Sequence, residues 1–317
     1  MFTFDRKLTF LAPLSGYSDS AFRGICRKLG ADVVTTEMVN AIGLTSNGSS
    51  KTKKRYSHFH PGEKPIGIQL FGNDPGIMAD AAAIGQELGF DFVDINMGCP
   101  VKKVLKTGSG ATLLRNKKLA SSIVRRVKRN ITLPLSVKIR TGWDEKDRSY
   151  LHFASALAEN GADAIVIHPR SVKQGMEGAA DHEKVAEICN NLSATYIIAN
   201  GDIETFYDAK RVYTSSGCNG IMIGREALRN PSIFSLIKRY ANGERGNGFP
   251  SLGDIVLEHF RGFHTLYGEK ATTFFQKHIS WYSRDLPNSS TFREKVSKVA
   301  NPEVMKFEIE NFFEKYR

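Results

Sequence analysis

Short apolar runs rich in β-branched residues return eight times between Thr9 and Gly224, with helically spaced stretches between them. The runs are Thr9 to Leu14, Asp32 to Met38, Pro65 to Phe71, Phe92 to Met97, Pro134 to Arg140, Ala164 to Arg170, Ala194 to Asp202 and Gly220 to Gly224. That rhythm reads as repeated βα units around a parallel sheet. Asp74 to Gly89, Lys118 to Asn130 and Arg148 to Gly161 supply intervening helices, several stopping at Gly or Asn as helix C-termini do. Eight units in about 225 residues fit a TIM (β/α)8 barrel better than an open doubly wound sheet, which uses fewer strands and a glycine-rich first turn. No GxGxxG occurs there. Beyond Ala241 the pattern changes. Residues 242–253 are rich in Gly and polar side chains, as a linker would be, and no β-like run recurs after them. Helical patterns then cover Asp254 to Tyr267, Lys270 to Arg284, Thr291 to Val299 and Pro302 to Tyr316. The expected organisation is an α/β barrel domain over residues 1–241, followed by a small all-helical domain over 250–317.

Composition narrows the function classes. At 41% hydrophobic and 24% charged residues over 317 positions, the chain has material for a core and is not a disordered polymer. No apolar run approaches the roughly 18 residues of a membrane helix, and MFTFDRK lacks a basic-then-apolar leader, so a soluble cytoplasmic protein is expected. The four cysteines, Cys26, Cys99, Cys189 and Cys218, form no CxxC pair and have no zinc-type His spacing; neither a metal site nor a disulfide framework is expected. A monomer is the expected state. The net charge of +11 points to an anionic partner and is uneven: residues 1–240 carry +10 and residues 241–317 only +1. Twelve Lys and Arg fall between Lys102 and Arg140, and no acid lies between Val101 and Trp143. A solvated helix face and a polyanion contact both account for this run.

In a TIM barrel the functional rim is the C-terminal end of the strands. The candidate strands end there in Pro13, Leu14 and Ser15; Gln69; Asn96 and Cys99; Lys138 and Arg140; His168 and Arg170; Asn200, Gly201 and Asp202; and Gly224 and Arg225. Lys138 and Arg140 alternate with Val137 and Ile139, so both point to one side of the strand. Two cations facing a barrel interior imply either an anionic or electron-rich ligand, or an internal salt bridge with Asp94 or Glu37. The glycines after strands seven and eight fit a phosphate cradle of backbone N–H groups, or equally ordinary left-handed turns. Cys26 and Cys189 sit in helical apolar patterns and Cys218 just before a strand, as structural cysteines do. Cys99 follows a strand in a Gly-Cys-Pro loop beside Lys102 and Lys103, which would favour a thiolate or allow a poised acid; the alternative is a small buried residue in a tight turn.

Taken together, LAPLSGYSDSAFR, GIQLFG, VDINMGCPVKKV, GSGATLL, LSVKIRTGW, IVIHPR, KQGMEGAADHEKV, IIANGDI and SGCNGIMIGREAL resemble the tRNA-dihydrouridine synthases, and QKHISWYSRDLP with FREKV resembles that family's helical domain. The departures are PLSG where PMAG is common and HPRS where HGRT is common. The resemblance implies FMN, NADPH as reductant, and reduction of the C5=C6 bond of specific uridines in tRNA. It places Pro13, Leu14, Ser15 and Gln69 along the isoalloxazine, Lys138 at its N1/C2=O edge with His168 nearby, and Asn200, Gly201, Asp202, Gly224 and Arg225 at the ribityl phosphate. Hydride would pass from flavin N5 to uracil C6, with Cys99 giving the proton to C5. Asn96, Arg140 and Arg170 would orient the base, and Lys102, Lys103, Lys277, His278 and Arg293 would contact RNA. Trp281 and Tyr282 suit a small hydrophobic core better than base stacking. Two other functions compete: a flavin dehydrogenase of a free pyrimidine, disfavoured by the helical tail and basic excess, and a non-catalytic RNA-binding relative, disfavoured by intact Cys99, Lys138 and His168.

Overall fold

The computed structural model describes residues 2–46, 58–244 and 250–316. Its strands are β1 (Leu8–Leu11), β2 (Val34–Thr35), β3 (Val39–Asn40), β4 (Ile66–Phe71), β5 (Phe92–Met97), β6 (Leu135–Arg140), β7 (Ala164–His168), β8 (Tyr196–Asn200) and β9 (Gly220–Ile223). All pair in parallel, in the order β1-β9-β8-β7-β6-β5-β4-β2, with β3 also on β4. A Phe10–Val33 bridge and a 2.9 Å hydrogen bond from Leu11 N–H to Val33 O join the two ends of the sheet into a barrel. Helices return the chain between strands, started by side-chain caps such as Asp74 on Ile77 N–H (2.8 Å) and Asn116 on Leu119 N–H (3.1 Å).

The second expected strand, Asp32 to Met38, is split into β2 and β3. At the break the Thr36 hydroxyl, rather than a backbone carbonyl, accepts the Gln69 N–H at 3.1 Å, so the regular ladder is interrupted. The first and sixth strands are shorter than expected, which leaves Pro13, Leu14 and Arg170 in loops.

Strand periodicity sorts the barrel into two layers. Residues such as Ile68, Val93, Ile95, Val137 and Ile167 pack outward against the helices. Inward, the lower layer is apolar: Phe10, Phe92, Val166, Tyr196 and Ile198, joined from below by Phe2 and Phe4. Gly67 is required there, because a Cβ would lie 2.2 Å from the Phe92 ring. This plug fills the N-terminal end, and among the described residues the cavity lies where the strands finish.

Helices Leu252–Tyr267, Ala271–Tyr282, Ser289–Ser297 and Pro302–Phe313 form the C-terminal helical region around Phe260, Phe263, Phe275, Ile279, Tyr282 and Phe313. It docks on helix Ser20–Lys28 through Lys28–Glu258 (2.6 Å), a Tyr267 hydroxyl donating to Asp19 (3.1 Å) and Trp281 on the barrel's outer core. Part of the expected linker, 245–249, lies outside the described residues.

Candidate active site

Above the aromatic plug, the last inward-facing residue of each strand from β5 to β8 is polar. Gln69, Asn96, Lys138, Arg140, His168 and Asn200 converge on one cavity of about 750 Å3, joined by Pro13, Leu14, Ser15, Cys99, Gly201, Asp202, Gly224 and Arg225 from the rim loops. The lining also includes Met38, Met176, Met222 and Glu226, which the sequence patterns do not single out.

Lys138 donates to Asn200 Oδ1 at 2.7 Å, and Asn200 in turn donates to Met222 O at 2.8 Å. Its acceptor is therefore neutral, and among the described residues no carboxylate stands within ion-pair distance of it. Burial, reinforced by Arg140, pushes its pKa down from 10.5 to about 7, although Asp94 and Cys99 pull the other way. Of the two readings of Lys138, the internal salt bridge is not formed among the described residues, and the site offers whatever enters a lysine without a carboxylate partner, charged below about pH 7. Burial and the cations Lys138, Arg140, Arg170 and Arg225 hold His168 far below its usual range, so it is neutral. Arg170 Nη1 approaches His168 Nε2 at 3.3 Å; because a guanidinium can only donate, Nε2 accepts and Nδ1 carries the proton. Beside it Gly201 has φ +122°, and a Cβ there would lie 3.1 Å from the imidazole.

Cys99 is half-buried at the mouth. Burial pushes its thiol up, against the Val101 N–H and the charges of Arg140 and Lys138. Its loop is tied down by Asn96, whose Oδ1 accepts from the N–H groups of Gly98 (3.2 Å) and Cys99 (2.9 Å). Arg140 braces the same loop from the other side: Nε donates to Gly98 O at 3.1 Å, and Nη1 to Ser171 O at 2.9 Å and Gly175 O at 2.7 Å. With its pKa lowered only to about 10, Arg140 stays charged at neutral pH.

A family model for dihydrouridine synthases (Dus) matches residues 10–316. The chain belongs to the dihydrouridine synthase family. It is 35% identical to a tRNA-dihydrouridine synthase B of Pseudomonas aeruginosa, covering 96% of this chain and 92% of that protein. It is 34% identical to a probable tRNA-dihydrouridine synthase of Rickettsia conorii, covering 96% and 92%. Among solved structures, histamine dehydrogenase from Rhizobium sp. 4-9 aligns with a TM-score of 0.59 at 14% identity over 80% of this chain and 48% of that one. Morphinone reductase aligns with a TM-score of 0.52 at 12% identity over 76% and 87%. These two likenesses concern the fold.

Two expected contacts, those of Arg170 and His278, are placed otherwise. Arg170 does not line the cavity: the chain leaves β7 at Pro169, and the guanidinium folds back, buried, onto Asp202 (2.6 Å) and Gly178 O (2.6 Å). It is a brace between two rim loops and is not available to a base. Asp202 lines the cavity while its carboxylate takes Arg170, Arg225 (3.2 Å) and Ala180 N–H (2.8 Å). His278, expected at the RNA surface, is buried among Tyr17, Phe22, Phe263 and His259. Its position three residues after Phe275 and four before Tyr282 puts it on the inward helix face. Lys277 reaches Gly16 O and lies over the Tyr17 and Phe263 rings at 5.5 and 5.9 Å, joining the helical region to the first rim loop. Lys102 and Lys103 are exposed beside the mouth, and Arg293 is half-buried against Ser283 (3.3 Å). The long basic run divides. Lys138 and Arg140 face inward, while Lys117, Lys118, Arg125, Arg126 and Arg129 lie on helix Lys117–Asn130, all five exposed.

Proposed function

We propose that this chain is an FMN-dependent tRNA-dihydrouridine synthase that reduces the C5=C6 bond of specific uridines, with the barrel, residues 1–241, as catalytic domain and residues 250–317 as an RNA-gripping domain. The observation that carries the reading is the pairing, at one mouth, of a half-buried lysine without a carboxylate partner and a protonated thiol, in a member of this family. Lys138 suits a flavin because its charge faces the cavity with only a neutral acceptor. Pro13, Leu14, Ser15, Gln69, His168, Asn200, Gly201, Asp202, Gly224 and Arg225 would surround the rest of the group. FMN, when bound and reduced by NADPH, supplies the hydride.

The chain's residues handle the base and the proton. Cys99 holds a proton on Sγ at neutral pH and donates it to C5 from the face opposite the hydride. Asn96 has both Oδ1 lone pairs and one N–H engaged, so it offers the uracil a single remaining N–H, which otherwise meets only the Met38 sulfur at 4.0 Å. Arg140 keeps the Cys99 loop in place while its charge faces the same cavity. The target base leaves the RNA stack to enter, at a cost of a few kcal/mol that distant contacts offset. Lys102, Lys103, Lys277 and Arg293, together with the outer face of helix Lys117–Asn130, supply the RNA contacts. Purified protein should be yellow or take up FMN. With NADPH it should convert uridines of a tRNA lacking dihydrouridine, read by nucleoside mass spectrometry. A folded protein that takes up no FMN refutes the reading.

A further inference from the structure

A chain of hydrogen bonds runs under the mouth and ends at the loop that carries Cys99. It starts at Asp94, which is 2% exposed. Ser136 Oγ donates to Asp94 Oδ1 at 2.5 Å, and Gln69 Nε2 donates to Asp94 Oδ2 at 2.6 Å. Asn96 Nδ2 donates to Gln69 Oε1 at 2.9 Å, and Asn96 Oδ1 accepts from the backbone of Gly98 and Cys99. Gln69 and Asn96 are both buried.

The two ends of a primary amide have nearly the same shape, so packing alone does not choose which end faces which neighbour. Hydrogen-bond polarity does. Both Asp94 oxygens act as acceptors, Oδ1 for Ser136 Oγ and Oδ2 for Gln69 Nε2, so Asp94 turns the Gln69 nitrogen toward itself. The Gln69 oxygen must then meet the Asn96 nitrogen, which leaves the Asn96 oxygen for the two loop N–H groups. Reversing either amide would set acceptor against acceptor in a buried place, where an unmet polar group is expensive. Burial raises the Asp94 pKa, opposed by the hydrogen bonds of Ser136 and Gln69 and by the nearby Lys138.

We propose that Asp94 is a positioning residue for Cys99, acting through the fixed amide orientations of Gln69 and Asn96. Its consequence for turnover rests on the reading of Cys99 as proton donor. A simpler role, in which Asp94 only offsets the charge of Lys138, makes different demands on the same residues: it requires a negative charge near Lys138 and is indifferent to donor and acceptor order.

The test exchanges the carboxylate and the amide. Asn96→Asp places acceptor-only groups at both ends of Gln69, whose amide can satisfy one and must oppose the other. The double variant Asp94→Asn/Asn96→Asp restores a consistent order running the other way. The amide now at position 94 donates to Gln69 Oε1, and Gln69 Nε2 donates to the carboxylate now at position 96, which still accepts from Gly98 and Cys99. Asp94→Asn alone keeps an acceptor toward Gln69, because the Ser136 hydroxyl can accept from the new amide. The readout is the rate of Cys99 alkylation by iodoacetamide on the full chain, followed in the Cys99-containing peptide by mass spectrometry. Asn96→Asp should raise the rate about tenfold, whereas Asp94→Asn and the double variant should stay within about threefold of the parent. A parental rate in Asn96→Asp, or a double variant no slower than Asn96→Asp, overturns the proposal.

Should Asn96→Asp fail to fold by circular dichroism, amide hydrogen exchange at Gly98 and Cys99 is compared in Asp94→Ala and Asp94→Asn. About tenfold faster exchange in the alanine variant alone is expected, and equal exchange in the two overturns the relay. None of these readouts needs flavin or turnover. If Cys99→Ala remains active while the exchange cycle behaves as stated, the relay stands and the proton-donor assignment falls.

Discussion

Replacing Lys138 by methionine should stabilise the ligand-free protein while weakening its hold on FMN. The ammonium is held at a pKa of about 7 in the folded chain against an ordinary 10.5, because burial and then Arg140 disfavour its charge. Below pH 7 it is protonated in folded and unfolded chains alike, and the whole cost of confining the charge is present. Between pH 7 and 10.5 the unfolded chain holds a proton that the folded chain has released, so stability rises with pH, and above 10.5 the cost is gone. The gap in pKa corresponds to about 5 kcal/mol at 1.36 kcal/mol per decade. The cavity is open to water, and screening there reduces the figure to about 1–3 kcal/mol.

Lys138→Met should therefore gain about 1–3 kcal/mol at pH 6 in flavin-stripped protein, falling to about a third of that at pH 9.5. Loss of a charge-assisted contact should meanwhile weaken FMN by about 10- to 100-fold. Urea unfolding at the two pH values measures the first effect, and fluorescence titration of FMN measures the second. A variant less stable than the parent at pH 6, or a difference independent of pH, would show that Lys138 is not an unneutralised cation in the folded protein.

Cys99→Ala should retain flavin and NADPH oxidation yet lose about 100-fold or more of uridine reduction, measured by single-turnover assay; near-parental turnover would remove Cys99 as the acid. Arg23 and Glu63 form a buried ion pair at 2.6 Å, so Arg23→Ala should cost about 3–5 kcal/mol in urea unfolding by stranding the carboxylate, and a loss under 1 kcal/mol would contradict this. Replacing Lys117, Arg125 and Arg126 together by serine should lower the magnitude of the slope of log K for tRNA against log salt by about 2–3, with FMN affinity unchanged. An unchanged slope would take the RNA off helix Lys117–Asn130.

The polar residues at the barrel mouth could be read from the sequence because strand alternation is a local property. Once a run is known to be a strand, Lys138 and Arg140 must share a face, and Gln69, Asn96, His168 and Asn200 are the polar residues at or near the strand ends. Arg170 breaks the pattern for a reason that alternation does not contain: β7 stops at His168, and its partner Asp202 is 32 residues away in sequence. His278 carried a signal that its company of basic neighbours obscured, since Phe275, Ile279 and Tyr282 mark the inward face on which it lies. The order of donors and acceptors from Asp94 to Cys99 is a different kind of information. It depends on which buried groups meet across β4, β5 and β6, and residue identity alone leaves both amide orientations open.

The division of the basic run has a functional consequence that its composition hides. Lys138, enclosed with a ligand, acts at short range and is weakly screened, whereas the exposed cations of helix Lys117–Asn130 act through solvent within a Debye length of about 8–10 Å. Raising the salt should therefore release RNA well before it releases FMN. At intermediate salt the protein should be a flavin-loaded enzyme limited by substrate capture, with KM rising and kcat preserved. If kcat fell in parallel with kcat/KM over that range, the cations outside the barrel would have to act on the chemistry within it, and the separation of inner from outer charge would fail.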